Sequence, residues 1–272
     1  MGGLLLCFAA SAQTDPEKKA DTVKVGSIII IKDGETSTEI ITETQVDKPR
    51  HKPRRQKGRV STNWIVPDIG FTNYHDKTDY SSAEAQNFVH GQTTGHPADK
   101  SDFALKPSSF NLNVWLFLQR VSLHKNYVNL KYGIGVDLNR YYYKSDIRYI
   151  DGPQPYVERQ HVSMDYNRLV ADYVTVPLML NVNPNPGKKY GLSFSVGASA
   201  SYLYRGRNRQ KSDDFGKYKL NSDFNMERWK LAYIAELGLG PVKLYGSYSI
   251  TPLHQYGVDI HPYTVGIRFS GL

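Results

Sequence analysis

The chain has 272 residues, a net charge of +8 and a single cysteine, Cys7, so intrachain disulfides are excluded. Mean hydropathy is −0.50, and no apolar stretch reaches the ~18 residues of a membrane-crossing helix. Twenty tyrosines, ten phenylalanines and three tryptophans in so polar a chain suit strands with one apolar and one polar face.

In chain order, Gly2 to Ala9 form a short apolar run that closes on Ala10-Ser11-Ala12, an A-x-A cleavage pattern. Residues 1–12 are therefore read as a signal peptide and the protein as exported. Cys7 follows Leu6, where a lipoprotein signal needs a small residue, so it belongs to the apolar h-region.

Residues 13–60 are read as a periplasmic extension. Val23 to Ile31, then Asp33-Gly34, then Ile40-Ile41-Thr42 predict a small hairpin. A basic arm follows, with Lys48, Arg50, Lys52, Arg54, Arg55, Lys57 and Arg59 and no acid. Nucleic acid is one reading of such a run, and export removes it. A solvated linker and contact with anionic head groups on the periplasmic leaflet remain.

Residues 61–272 break into eight alternating segments. Leu192 to Leu203 is the clearest: Leu192, Phe194, Val196, Ala198, Ala200 and Tyr202 share one face, and serines and glycines the other. A small hydroxyl face turned to lipid would be unsatisfied, so it points inward. The others run from Ile65 to Phe71, Phe110 to Leu118, Tyr127 to Tyr141, Val174 to Val182, Arg228 to Gly240, Val242 to Pro252 and Tyr263 to Phe269. In the second, Leu118 is expected on the outer face. Connections alternate between long (73–107, 143–167, 205–227) and short (120–126, 183–190, 240–241), as periplasmic turns alternate with extracellular loops. The predicted fold is all-β, a transmembrane antiparallel up-and-down barrel of about eight strands with both termini periplasmic. Pro67, Pro177 and Pro252 should mark bulges or strand ends.

The segments resemble outer-membrane β-barrel proteins of the Bacteroidota, the PorT-like group with OmpX/OmpA-type barrels. The resemblance rests on Trp64-Ile65-Val66-Pro67-Asp68-Ile69-Gly70-Phe71, on Asn111-Leu112-Asn113 and on Lys125 to Leu130 with Gly133-Ile134-Gly135. It continues in Val174-Thr175-Val176-Pro177-Leu178-Met179-Leu180 and in Tyr263 to Phe269. It implies a barrel in the outer membrane and no particular substrate.

Inward positions carry Asp68, Lys131, Asp137, Lys230, Glu236, Lys243 and Arg268. In so narrow a barrel these mixed signs are expected to form a salt-bridged plug, with a narrow charged pore as the alternative. Tyr141, Tyr142, Tyr143, Arg148, Arg205, Arg207 and Arg209 are read as a loop patch, either an interfacial aromatic girdle or a surface for a protein, a glycan or lipopolysaccharide phosphates. His90 and His96 with Asp99 follow no zinc spacing, and Glu84, His96 and Ser101 share one loop without a defined spacing. No cofactor, metal or catalytic site is expected. The leading expectation is a structural or interaction barrel whose partners are outer-membrane lipids and a protein of the membrane or cell surface. A lipid-modifying enzyme or small-solute channel is second. A soluble ligand-binding barrel, apolar within and polar without, is third.

Overall fold

The computed structural model describes residues 21–25, 28–32, 38–42, 58–91, 96–186, 191–214 and 216–270. Met1–Gln56 and Lys57–Leu272 are separate compact units. In the first, β1 (Asp21–Val25), β2 (Ile28–Lys32) and β3 (Thr38–Thr42) form an antiparallel sheet in that order. The run from Val23 to Ile31, read as one arm of a hairpin, is thus divided between two strands. The expected signal peptide and Lys48, Arg50, Lys52, Arg54, Arg55 and Lys57 lie outside the described residues. Arg59 is exposed.

In the second unit, eight antiparallel strands close on themselves: β4 (Val60–Asp76), β6 (Phe110–His124), β7 (Val128–Tyr142), β10 (Tyr166–Val182), β11 (Leu192–Ser212), β13 (Trp229–Leu239), β14 (Val242–Ser249) and β15 (Ile260–Phe269). Each pairs with its neighbour in sequence, and β15 pairs with β4 to shut the ring. Three short connections lie at one end and four long ones at the other. The long connections carry α1 (Ala83–Phe88), β5 (Val89–Gly91), a 3-10 turn (Lys100–Phe103), β8 (Ile147–Ile150), β9 (Tyr156–Arg159) and β12 (Gly216–Leu220).

The two faces of the wall meet different surroundings. Trp64, Ile65 and Phe71 are 71%, 73% and 74% exposed on the outside, whereas Asp68, between them on the same strand, is 1% exposed on the inside. Asn111, Asn129, Thr175, Asn181, Ser195 and Ser201 are likewise buried within. An apolar exterior around a polar interior is what a bilayer demands of a closed sheet. It reverses the arrangement of a soluble ligand-binding barrel.

Three irregularities shift this alternation. Ile65 has φ 51°, so Trp64 and Ile65 both face outward. Leu116 is bypassed in the β6–β7 ladder, which steps from Trp115↔Gly135 to Phe117↔Ile134. Beyond that bulge the parity inverts, so Leu118, expected outside, is buried within alongside Arg120. The third lies where β10 meets β11, Asp172 pairing with Arg205 and Tyr173 with Leu203, so that Tyr204 bulges out. Pro177 leaves the β10–β11 ladder intact, but pairing to β7 lapses between Thr175 and Leu178, as a missing donor requires. Pro252 lies beyond β14.

Trp115 can turn inward because Gly135 faces it. A Cβ on Gly135 would stand 2.7 Å from the Val114 carbonyl, 2.8 Å from Trp115 Cα and 2.9 Å from Trp115 Cε3. Gly135→Ala is expected to lower stability by about 1–3 kcal/mol through overpacking, read from the urea midpoint of refolding into lipid vesicles. Gly152, with nothing within 4 Å of its added Cβ, serves as the neutral control, and equal midpoints for the two variants would contradict this packing.

Candidate functional site

Three layers of side chains occupy the barrel and its long-loop end. The deepest is ionic. Arg268 on β15 grips Asp68 on β4 through Nε–Oδ1 and Nη2–Oδ2, each 2.6 Å, and reaches Glu236 on β13 with Nη1. Glu236 also pairs with Lys131 at 2.6 Å, and Ser195 donates to the same carboxylate oxygen at 3.2 Å. The Trp115 indole N–H donates to Asp68 at 2.6 Å, and the Arg268 guanidinium lies 5.1 Å from that ring. Nearer the long loops, Lys230 pairs with Asp137, which also accepts from Asn111 at 2.6 Å and Asn139 at 2.9 Å. Lys243 is 1% exposed within the same space. The alternation thus places all seven inward charges together. Arg120 joins them and escaped the sequence reading, because only the Leu116 bulge turns it inward.

Above the ions lies an aromatic cap. Phe88, Phe103, Tyr143, Tyr149, Phe224, Met226 and Leu253, drawn from all four long connections, share one buried cluster with Tyr141, Tyr173 and Ile260 of the wall. Buried apolar side chains of this size each contribute about 1.5–3 kcal/mol, so these connections fold as a unit. The first two are also joined by sheet: β9 pairs in parallel with β5 and antiparallel with β8. Arg159 closes a fork on Asp102, at 2.7 and 2.6 Å, and donates to the carbonyls of His96 and Pro97 at 2.7 and 2.9 Å. Asp102 in turn caps the 3-10 turn by accepting from the Asp99 N–H at 3.0 Å.

Through the cap runs a chain of polar atoms. The hydroxyls of Tyr74 and Tyr143 lie 3.3 Å apart and those of Tyr143 and Tyr149 2.8 Å apart, with Tyr149 Oη 3.3 Å from His254 Nε2. The His254 ring stacks on Tyr149 at 5.7 Å and packs against Phe88 at 5.4 Å. Burial disfavours its cation and pulls its pKa down to about 4, against a smaller opposing effect from the Phe224 backbone. Burial likewise holds the Tyr149 phenol well above its ordinary value.

The third layer lies outside. Asp172 on β10 is fully buried, yet it is on the outward face. Arg140 of β7 and Arg205 of β11 cover it, the latter with Nε–Oδ2 at 2.7 Å. Beside it stand Arg168, which donates to Tyr142 Oη at 2.9 Å, and Arg207, which donates to Asn221 Oδ1 at 2.6 Å.

No family model matches the chain, and no curated protein does. Among solved structures the barrel is similar to Ail, the attachment invasion locus protein of Yersinia pestis, at 15% identity over 75% of this chain and 96% of that one, with a TM-score of 0.30. A second structure of Ail, in complex with the heparin analogue sucrose octasulfate, matches at 18% identity over the same shares, with a TM-score of 0.31. The closed eight-stranded barrel is read from its own strand register.

The residues grouped as a loop patch separate into two sets. Tyr141 and Tyr143 are 0% and 1% exposed and belong to the cap, so they form neither girdle nor surface. The alternation that turns Leu138 outward also turns these two inward once β7 continues to Tyr142. Arg148 is half-buried within the long-loop end, donating to Gln210 at 3.1 Å and lying 4.8 Å from the Tyr218 ring. Tyr142, Arg205, Arg207 and Arg209 do converge, on the outward face of β7, β10 and β11. Arg140, Arg168 and Asp172 complete that group and were missed, although the period of two, run back from Val174 and on from Leu138, reaches them. Of the three loop residues weighed as catalytic, Glu84 accepts from the Gly257 N–H at 3.0 Å and the Ser101 N–H is taken by Asp99 at 2.6 Å. No hydrogen bond joins Glu84, His96 and Ser101 to one another.

Proposed function

We propose that the protein resides in the outer membrane as a closed barrel and acts as an interaction protein at the cell surface through its folded long-loop cap. On this reading the long connections face outward. Both termini then lie on the periplasmic side. The observation that carries the proposal is the filling of the interior. The cavity lined by Lys131, Asp137, Lys230, Glu236, Lys243 and Arg268 has a volume of only about 50 Å³, room for a few waters, and the aromatic cluster covers the end above it. A solute would have to displace ion pairs whose separation leaves bare charges in a low-dielectric space. What the barrel offers to its surroundings is therefore its cap and outer wall, and no catalytic step is assigned to it.

The test is conductance. The purified full-length protein, verified as folded by its heat-modifiable migration on SDS gels, is added to planar bilayers in 1 M salt, an ionic strength of about 1 M that screens its surface charges. No stepwise current above the bare membrane is expected. Regular steps from heat-modifiable protein would overturn the closed-lumen reading.

A further inference from the structure

Where the apolar exterior ends, at Val174, Tyr202 and Trp229, one sector of the outer wall becomes cationic. The register sets Arg168 opposite Arg209, Val170 opposite both Arg140 and Arg207, and Asp172 opposite Arg205. Further up, Arg209 faces Lys219 and Lys211 faces Lys217 across the β11–β12 ladder. Like charges directly opposite across a ladder oppose pairing, so the sheet gathers these cations against their own repulsion.

The acids in this sector are already committed. Asp172 is held by Arg140 and Arg205, and Asp165 pairs with Lys211 at 2.9 Å. Among the described residues Arg168, Arg207 and Arg209 have no carboxylate within ion-pair distance. Partial burial, with Arg209 and Arg205 beside it, draws the Arg207 guanidinium below its ordinary pKa. It stands in a positive field that an external anion would relieve.

Height above the membrane narrows the choice of anion. At about 3.4 Å per residue and a tilt near 45°, Arg205 stands roughly 7 Å above Tyr202 along the membrane normal, and Lys211 roughly 20 Å. The first height is that of lipid phosphates just outside the hydrocarbon, and the second that of whatever the lipid carries beyond them. At the upper level Tyr166, Arg209, Lys211, Lys217 and Lys219, with Asp165 paired to Lys211, line a groove of about 640 Å³. An aromatic face and long cationic side chains in excess over one carboxylate suit a saccharide bearing further negative charge.

We propose that this sector binds a phosphorylated glycolipid of the leaflet facing the long-loop end, its lipid-proximal phosphate on Arg168 and Arg207 and its saccharide along the groove above. Asp172 is a positioning residue that fixes Arg140 and Arg205 at the rim. The proposal rests on the membrane placement given above and is independent of whether the lumen conducts.

The test uses full-length protein in neutral detergent micelles, with a diphosphorylated lipid A carrying its core saccharide as the probe. The triple variant Arg168→Gln, Arg207→Gln and Arg209→Gln leaves the Asp172 ion pairs intact. It is expected to bind at least tenfold more weakly, with a shallower salt dependence, while Lys77→Gln on another sector binds as the parent does. Heat-modifiable migration shows whether each variant is folded, so failure of the barrel reading is distinguishable from failure of the site. The proposal is overturned if the folded triple variant binds like the parent. It is overturned equally if the dephosphorylated probe, the free core saccharide or phosphatidylglycerol binds the parent as tightly as the intact glycolipid.

Discussion

Replacing Asp68 with alanine is expected to lower the stability of the barrel by about 3–5 kcal/mol, the cost typical of removing one partner from a buried ion pair. The carboxylate takes two bonds from Arg268 and one from the Trp115 indole, each 2.6 Å long, and a longer one of 3.4 Å from the Asn113 amide. Without it the indole N–H loses its acceptor, and the Arg268 guanidinium keeps only the Glu236 carboxylate, already shared with Lys131. Asp68→Asn preserves volume and one acceptor, so its loss should be smaller. Urea unfolding of the vesicle-inserted protein, followed by tryptophan fluorescence, gives the value. An alanine variant within about 0.5 kcal/mol of the parent, the usual scatter of surface substitutions, would show that the network contributes little.

Acidification should loosen the cap. His254 has a pKa near 4 in the fold against about 6.5 when solvated. Between those values the unfolded cap binds a proton that the folded cap does not. Stability therefore rises with pH through this window and falls as pH drops from about 6.5 to 4, by up to about 3 kcal/mol for this one group. Above pH 6.5 the contribution is constant. The cap's tyrosines report the change through near-UV circular dichroism, and the thermal midpoint at pH 4.5 should lie below that at pH 7. His254→Phe, which keeps a ring between Phe88 and Tyr149, should remove that part of the difference. If the two proteins show the same pH dependence, the buried imidazole is not its source.

How much of this was legible in the sequence differs from layer to layer. A period of two is a property of the strand itself, and it was sufficient to orient Lys131, Glu236 and Arg268 without knowledge of any neighbour. It failed where an extra residue enters the ladder. Nothing local at Leu116 announces a bulge, so the unbroken period of two puts Leu118 outside and leaves Arg120 out of the lumen. The cap was harder still. Phe88, Tyr149, Phe224 and Leu253 lie far apart in segments without periodicity, and only closure of the barrel brings their connections to one place. Their polar flanks read as solvated loop, and the sequence places the buried tyrosines Tyr141 and Tyr143 in an interfacial girdle or on a surface. The outward arginines were half legible, since Arg205, Arg207 and Arg209 alternate in plain view. Their partners on β7 and β10 become neighbours only through the register.

Closing a barrel normally leaves no strand edge, but here one remains. β11 outruns β13, and the space above Trp229 beside it is taken by β12, which pairs with β11 alone among the described residues. The outer side of β12 therefore presents unpaired backbone donors and acceptors to water, a template on which a strand of another molecule could add. Five residues are few for such an addition, and Lys217 and Lys219 would bring a second copy's lysines against themselves. The short length and the repeated charge both work against self-assembly through that edge.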